Sequence, residues 1–135
     1  MDIINKKSDG KIMKYYFVNT NEKYDPGATD YNKQKKEVII YGDLKDSISK
    51  LKQGDGIFLY QKKVGIVAFG VIENDKVTIR DWGDDKMYSK DLCKFIDFSE
   101  NPIKFMAQGG KLRSTIVLLN EEDLKQIREK AFEIS

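Results

Sequence analysis

The stretch from Gly54 to Ile72, GDGIFLYQKKVGIVAFGVI, restricts what this chain can fold into. It reads as two strands and a tight polar connection. Ile57, Phe58, Leu59 and Tyr60 form a short apolar-aromatic run, and Gln61, Lys62 and Lys63 break it. Val64 to Ile72 is a second apolar run. Both runs are rich in β-branched and aromatic residues, which suit a pleated, packed surface. The longer run is apolar on both faces, as expected for a strand near the middle of a sheet. Gly65 and Gly70 interrupt it. A glycine inside a strand marks a bulge, a bend or a close backbone approach, and small barrels need such bends to close.

The rest of the chain supplies partners for this pair. Met13 to Asn19 predicts a strand with Tyr15 and Phe17 on one face and Tyr16 and Val18 on the other. Glu37 to Tyr41, EVIIY, predicts a second. Lys76 to Trp82 predicts another, with Val77 and Ile79 on one face and Thr78, Arg80 and Trp82 on the other. Leu92 to Phe98 and Thr115 to Leu119 complete the strands. Asp43 is a candidate cap for a short helix whose Leu44, Ile48 and Leu51 repeat at helical spacing, ended by Gln53 and Gly54. Pro102 opens a helical turn through Ile103, Phe105 and Met106. Asn120 caps a last helix, with Glu121, Glu122 and Asp123 at its positive end and a buried stripe of Leu124, Ile127, Ala131 and Ile134. Residues 1–11 read as a loosely held arm, Glu22 to Lys36 as a long polar connection, and Gly83 to Lys90 as a charged loop carrying Tyr88. The expectation is one α+β domain over residues 1–135, a bent mixed sheet of about five or six strands with helices outside.

The composition narrows the chemistry. The chain has 135 residues and no histidine, which removes the commonest general base and metal ligand. A single cysteine, Cys93, falls in a predicted strand and excludes an internal disulfide framework. No zinc-ligand spacing and no glycine-rich phosphate loop is present. Asp84 and Asp85 are adjacent carboxylates better read as a solvated turn than as a metal site. No apolar run is long enough to span a bilayer, and no signal-peptide core opens the chain, so a cytoplasmic protein is expected. No cofactor and no catalytic residue is expected. The formal net charge of +2 does not by itself announce nucleic acid. Lys35-Lys36 and Lys62-Lys63 read as solvated turns, with phosphate contact as the alternative.

The positive signal is aromatic. Seven Tyr, seven Phe and one Trp are present, and several fall at strand ends or in loops, among them Tyr24, Tyr41, Trp82 and Tyr88. Such rings cover core ends in many domains. They also hold flat ligands, and stacking on a nucleobase is worth roughly 1–3 kcal/mol. Trp82, the only tryptophan, sits beside a polar loop.

In order, YYFVNTN, a polar loop, VIIYG, a short helix, LKQGDGIFLYQ and VGIVAFGVI resemble the EVE domain and its YTH relatives in the PUA-like superfamily. The pattern of a strand, Lys-x-Gly-Asp, a strand and Gly-Ile-Val-Ala-x-Gly carries most of the likeness. Arg113-Ser114-Thr115 and the final helix look like the YTH ending. The resemblance implies a PUA-like bent β-barrel with flanking helices and a non-catalytic module that reads a modified or flipped base in an aromatic cage. It places Tyr41 as the cage aromatic after the second strand, with Trp82 or Tyr88 as the opposing ring. Thr20 and Asn21 then lie where the family contacts base edges and backbone, Asp25 near an acidic residue that bonds the base edge, and Arg113 where a phosphate passes; if nucleic acid is the ligand, Lys35 and Lys36 are expected to reach phosphates as well. The implied partner is DNA or RNA carrying a modified base, within a modification-dependent restriction or defence assembly. This chain has Tyr where the YTH pattern has Trp at position 41, which leaves the modification itself open. A regulatory PUA-like protein that binds another protein or a small nucleotide is the alternative. An open aromatic cleft flanked by lysines separates the first reading from the second.

Overall fold

The structure, a computed structural model, describes residues 7–8, 11–20, 34–41, 48–61, 63–105 and 116–134. For Tyr41 and Trp82 the described part is the backbone. The strands are β1 (Lys7–Ser8), β2 (Lys11–Ile12), β3 (Tyr15–Asn19), β4 (Glu37–Tyr41), β5 (Gly56–Gln61), β6 (Gly65–Ile72), β7 (Thr78–Trp82), β8 (Asp85–Asp97) and β9 (Ile116–Leu118), followed by helix α1 (Glu121–Ile134). Among the described residues β1 and β2 pair only with each other. The main sheet has seven strands in the order β4-β8-β6-β5-β3-β9, and β7 also pairs with β8. β3 and β5 are parallel and the other pairs antiparallel. The architecture is α+β: a curled, mixed, half-barrel sheet with a C-terminal helix.

Both faces of the sheet are buried, as the two-sided apolar run of β6 requires. On one face Tyr15, Phe17, Phe58, Tyr60 and Phe69 form an aromatic layer beneath α1. The Phe17 and Tyr60 ring centroids lie 4.5 Å apart, and those of Phe58 and Phe69 4.8 Å. Leu124, Ile127 and Ala131 press onto this layer. On the other face Tyr16, Val18, Ile57, Leu59 and Ile72 share a cluster with Val38 and Ile40 of β4 and with Ile48 and Leu51. The curl therefore brings β4 over the inner face. The expected alternation of Tyr15 and Phe17 against Tyr16 and Val18 is what separates the two clusters.

α1 begins with a reciprocal cap. The Asp123 amide donates to Asn120 Oδ1 at 2.8 Å, and the Asn120 amide to Asp123 Oδ2 at 3.3 Å. This satisfies donors that a helix start otherwise leaves open.

Three expectations change. Gly83 to Lys90 is not a charged loop: only Gly83 and Asp84 turn, and the rest extends into the thirteen-residue β8. Its lysines hid a strand that is paired on both sides, by β4 and by β7. Tyr88 is accordingly a mid-strand residue. Pro102 starts no helix; Ile103 instead bridges Ile66 antiparallel, which covers the turn before β6. The predicted helix through Leu44, Ile48 and Leu51 survives as a 3-10 turn at 48–50, and residues 42–47 lie outside the described residues. Residues 22–33 of the long polar connection and Met106 of the Pro102 turn also lie outside them.

The glycines do what their positions imply. Gly70 stands where the β6–β8 register shifts, and a Cβ there would come 2.9 Å from the Leu92 Cβ. Across the shift, Lys94 and Phe95 oppose one residue, and Lys94 takes φ 50°. That is a bulge, and it bends β8. Gly65 opens β6 at φ 125°, where a Cβ would lie 2.6 Å from the Ile103 carbonyl oxygen. Gly54 also has positive φ, 90°, but open space around it. Gly65→Ala is therefore expected to lower unfolding free energy by about 3 kcal/mol, against about 1 kcal/mol for Gly54→Ala, because only the first adds a backbone clash to conformational strain. Urea unfolding of both variants checks this; equal losses would contradict the clash.

Candidate functional site

The N-terminal half of β8 lies between β4 and β7. A two-residue turn, Gly83-Asp84, joins β7 to β8, with Trp82 opposite Asp85. Gly83 carries φ 61°, the demand of a type II′ hairpin at its first central position. Pairing of Ile39 with Ser89, Tyr41 with Met87, Thr78 with Ser89 and Arg80 with Met87 fixes the faces. Cross-strand partners share a face, and successive residues alternate. Glu37, Ile39 and Tyr41 therefore share one face with Met87, Ser89, Thr78, Arg80 and Trp82. Val38, Ile40, Tyr88 and Lys90 occupy the other, toward the inner cluster.

The first face carries a buried polar network. Glu37 and Ser89 are 3% and 0% exposed. Ser89 Oγ donates to Glu37 Oε2 at 2.6 Å. Arg80 Nη1 donates to the same oxygen at 3.0 Å and to Ser89 Oγ at 3.2 Å. A carboxylate this deep needs a cation and hydrogen bonds to remain charged. The Arg80 side chain is 36% exposed, so its guanidinium reaches from the buried carboxylate toward the surface. The three residues form a polar network on this face: Arg80 stands level with Tyr41 across Met87, while Ser89 and Glu37 lie two and four residues further along, on the side away from Trp82. The positions of Tyr41 and Trp82 are two strands and two residues apart, about 12 Å from backbone to backbone by ordinary strand spacing.

The other predicted residues divide. Lys35 and Lys36 are exposed just before β4, and Lys36 takes φ 54° with its carbonyl accepting from the Leu92 amide at 2.8 Å. Along the strand they lie about 17–20 Å from Tyr41. Tyr88 is half-buried against the inner cluster, on the face opposite Tyr41 and Trp82. Thr20 is buried after β3, where its amide and its hydroxyl both donate to the Tyr60 carbonyl, at 2.9 and 3.2 Å. Asn21, Asp25 and Arg113 lie outside the described residues.

Three members of the site were not singled out by sequence reasoning: Glu37, Ser89 and Arg80. One signal was present, the shared face of Thr78, Arg80 and Trp82. A glutamate heading an otherwise apolar strand was the other, since a strand-end charge is costly to bury without a partner.

Nearby ionisable groups respond to their settings. Lys90 is buried, its ammonium donating to the Leu51 carbonyl, and burial holds its pKa below the usual lysine value. Burial raises the Asp55 carboxyl, although the Lys52 amide donates to it at 2.9 Å. Asp81 and Lys86 pair at the surface of the hairpin, which lowers the first and raises the second. Among the described residues no cluster of three potential metal ligands occurs. Cys93 is a free, partly buried thiol whose Sγ donates to the Val71 carbonyl at 3.4 Å.

Arg80→Met would leave the Glu37 carboxylate nearly buried without its cation. The expected loss is about 2 kcal/mol, less than the 3–5 of a fully buried pair because Arg80 is partly solvated. Adding Glu37→Gln removes the stranded charge, so the double variant should lose less than the sum of the singles. A strictly additive double-mutant cycle in urea unfolding would count against the coupling.

No protein-family model matches this chain, and no curated protein matches it. Among solved structures, the fold is similar to the NMR structure of Rpa0253 from Rhodopseudomonas palustris, with a TM-score of 0.58, 16% identity, and coverage of 91% of this chain and 96% of that one. It is also similar to the structure of a hypothetical protein from Leishmania major, with a TM-score of 0.55, 11% identity, and coverage of 91% and 98%. At these identities the likeness is one of fold: the curled sheet recurs over nearly the full length of both neighbours.

Proposed function

We propose that this protein is a non-catalytic nucleic-acid-binding module of PUA-like kind, reading a modified or flipped base at the β4–β8–β7 face. The observation that carries the reading is the Glu37–Ser89–Arg80 network on the same face as Tyr41 and Trp82, with Arg80 level with Tyr41 and two residues from Trp82 along β7. A base needs two things from a site: ring area for stacking, and fixed polar groups that match an edge. In this reading Tyr41 and Trp82 provide the rings. Arg80, held by Glu37 and Ser89, places a fixed positive charge at this face, suited to a nucleic acid. Rigid strands fix the spacing, as a selective site requires. A methyl group on the base adds apolar contact of about 0.8 kcal/mol per buried carbon. By the sequence resemblance alone, Asn21 and Asp25 would be rim residues and Arg113 a phosphate contact, with Lys35 and Lys36 as further phosphate contacts. The EVE and YTH likeness of the sequence points the same way. DNA or RNA bearing the base is the partner, and a restriction or defence assembly is the setting.

The only tryptophan is at position 82, so intrinsic fluorescence reports the site directly. Titration with single-stranded oligonucleotides carrying N6-methyladenine, 5-methylcytosine or 5-hydroxymethylcytosine, beside unmodified controls, should quench it and favour one modification. Trp82→Ala, followed by anisotropy, and Tyr41→Ala should each weaken binding by about 1–3 kcal/mol with the fold intact by circular dichroism. No binding at low salt, or binding indifferent to both rings, would defeat the reading.

Affinity should also fall with salt as phosphate contacts release counterions. Replacing Lys35→Gln together with Lys36→Asn, a residue that tolerates positive φ, should reduce the log–log salt slope by about one to two. An unchanged slope would remove these lysines from the interface.

A further inference from the structure

A groove remains that the proposed base site does not use. It has a volume of about 880 Å3 and runs between the start of β3 and the first turns of α1. Its apolar wall is Met13, Tyr15, Leu118, Leu119 and Leu124. Leu118, on the edge strand β9, is 57% exposed. A volume in this range, with an apolar lining and a few convergent charges, is typical of small-molecule sites.

The charges say what kind of molecule fits. Lys14, Lys125 and Arg128 line the groove, with Glu121 and Glu122 at the helix start. Three cations against two carboxylates leave one positive charge, the complement of a monoanion. Arg128 is half-buried, and its Nε is closed off from solvent with no acceptor. Its guanidinium forms no ion pair among the described residues. Nε is out of a ligand's reach, but the terminal guanidinium nitrogens, not buried and with no partner among the described residues, are donors left to a molecule in the groove. The open donors of the α1 N-terminus are not the attraction, because Asn120 and Asp123 already cap it.

From these observations we infer that the groove binds a small monocarboxylic acid with an apolar body. The guanidinium takes the carboxylate, a planar fork matching a planar acceptor pair. The hydrocarbon lies along Met13, Leu118 and Leu124. Glu121 and Glu122 disfavour dianions such as phosphate monoesters. This site is independent of the β4–β8–β7 face and stands or falls separately from it.

Octanoate is the probe, titrated calorimetrically into the full chain, with octanol and octylammonium as neutral and cationic controls. Saturable one-to-one binding of octanoate is expected, at least tenfold tighter than either control. Arg128→Met should weaken octanoate at least tenfold and leave octanol unchanged. Leu118→Asp, at an exposed position where folding is not at stake, should weaken both. Circular dichroism melting confirms that each variant is folded; should Arg128→Met fail to fold, Arg128→Gln and Lys125→Glu take its place with the same expectation. The inference is overturned by absence of saturable octanoate binding up to 10 mM, by octylammonium binding as tightly as octanoate, or by an octanoate affinity indifferent to Arg128. It is equally overturned if sedimentation shows a dimer that Leu118→Asp dissociates, which assigns the groove to a second copy of the chain.

Discussion

The close approach of β6 and β8 at Gly70 is the constraint on which the remaining geometry rests. Leu92 lies over Gly70 where any side chain would collide with it, and just beyond, Lys94 supplies the extra residue of a bulge. An unbent thirteen-residue strand would run about 43 Å, far beyond its neighbours. β8 changes partners instead between Asp91 and Leu92, a few residues before the bulge. The half from Leu92 to Asp97 pairs with β6, and the half from Asp85 to Asp91 turns away to pair with β4 and β7. One strand thus serves two surfaces: the aromatic core under α1 and the polar network of the candidate site.

That division explains how a buried carboxylate is tolerated in a chain of this size. Glu37 sits at the start of β4, beside the point where β8 changes partners, and the Leu92 amide reaches back to the Lys36 carbonyl. Apolar packing is thick on the inner face through Val38 and Ile40, whereas the outer face carries Glu37, Ser89 and Arg80. The network gains its strength from low surrounding polarity, and the same surroundings make any single missing member expensive.

Much of the fold was legible because strand periodicity is a local signal. The alternation in Tyr15 to Val18, the apolar run of β6 and the stripe of α1 are visible without any partner. The Gly70 approach was legible as a possibility, since a glycine in an apolar run has few other meanings. What was hidden depended on partners. Lys86 to Lys90 looked like loop because lysine is a poor strand former, yet pairing on both sides and the Leu51 carbonyl for Lys90 outweigh that preference. Ile103 looked like the start of a helical turn and is in fact a bridge to Ile66, a non-local contact. For the site, Trp82 and Arg80 could be placed on one face from the strand pattern alone. Their union with Glu37 and Ser89 could not, because it requires the order β4-β8-β7.

The position of β3 has a consequence for how the chain matures. β3 lies between β5, its parallel neighbour, and β9, which begins about a hundred residues later at Ile116. Parallel pairing cannot close through a hairpin, so β3 must wait for a long connection to return before β5 covers one edge. Its other edge waits for nearly the whole chain. During synthesis, therefore, Tyr15 to Val18 spend most of the time as an apolar segment with an unpaired edge, the kind that recruits foreign strands. Closure belongs to the last events of folding, after β9 and α1 have emerged together, and so many distant contacts put the protein among the slower folders for its length.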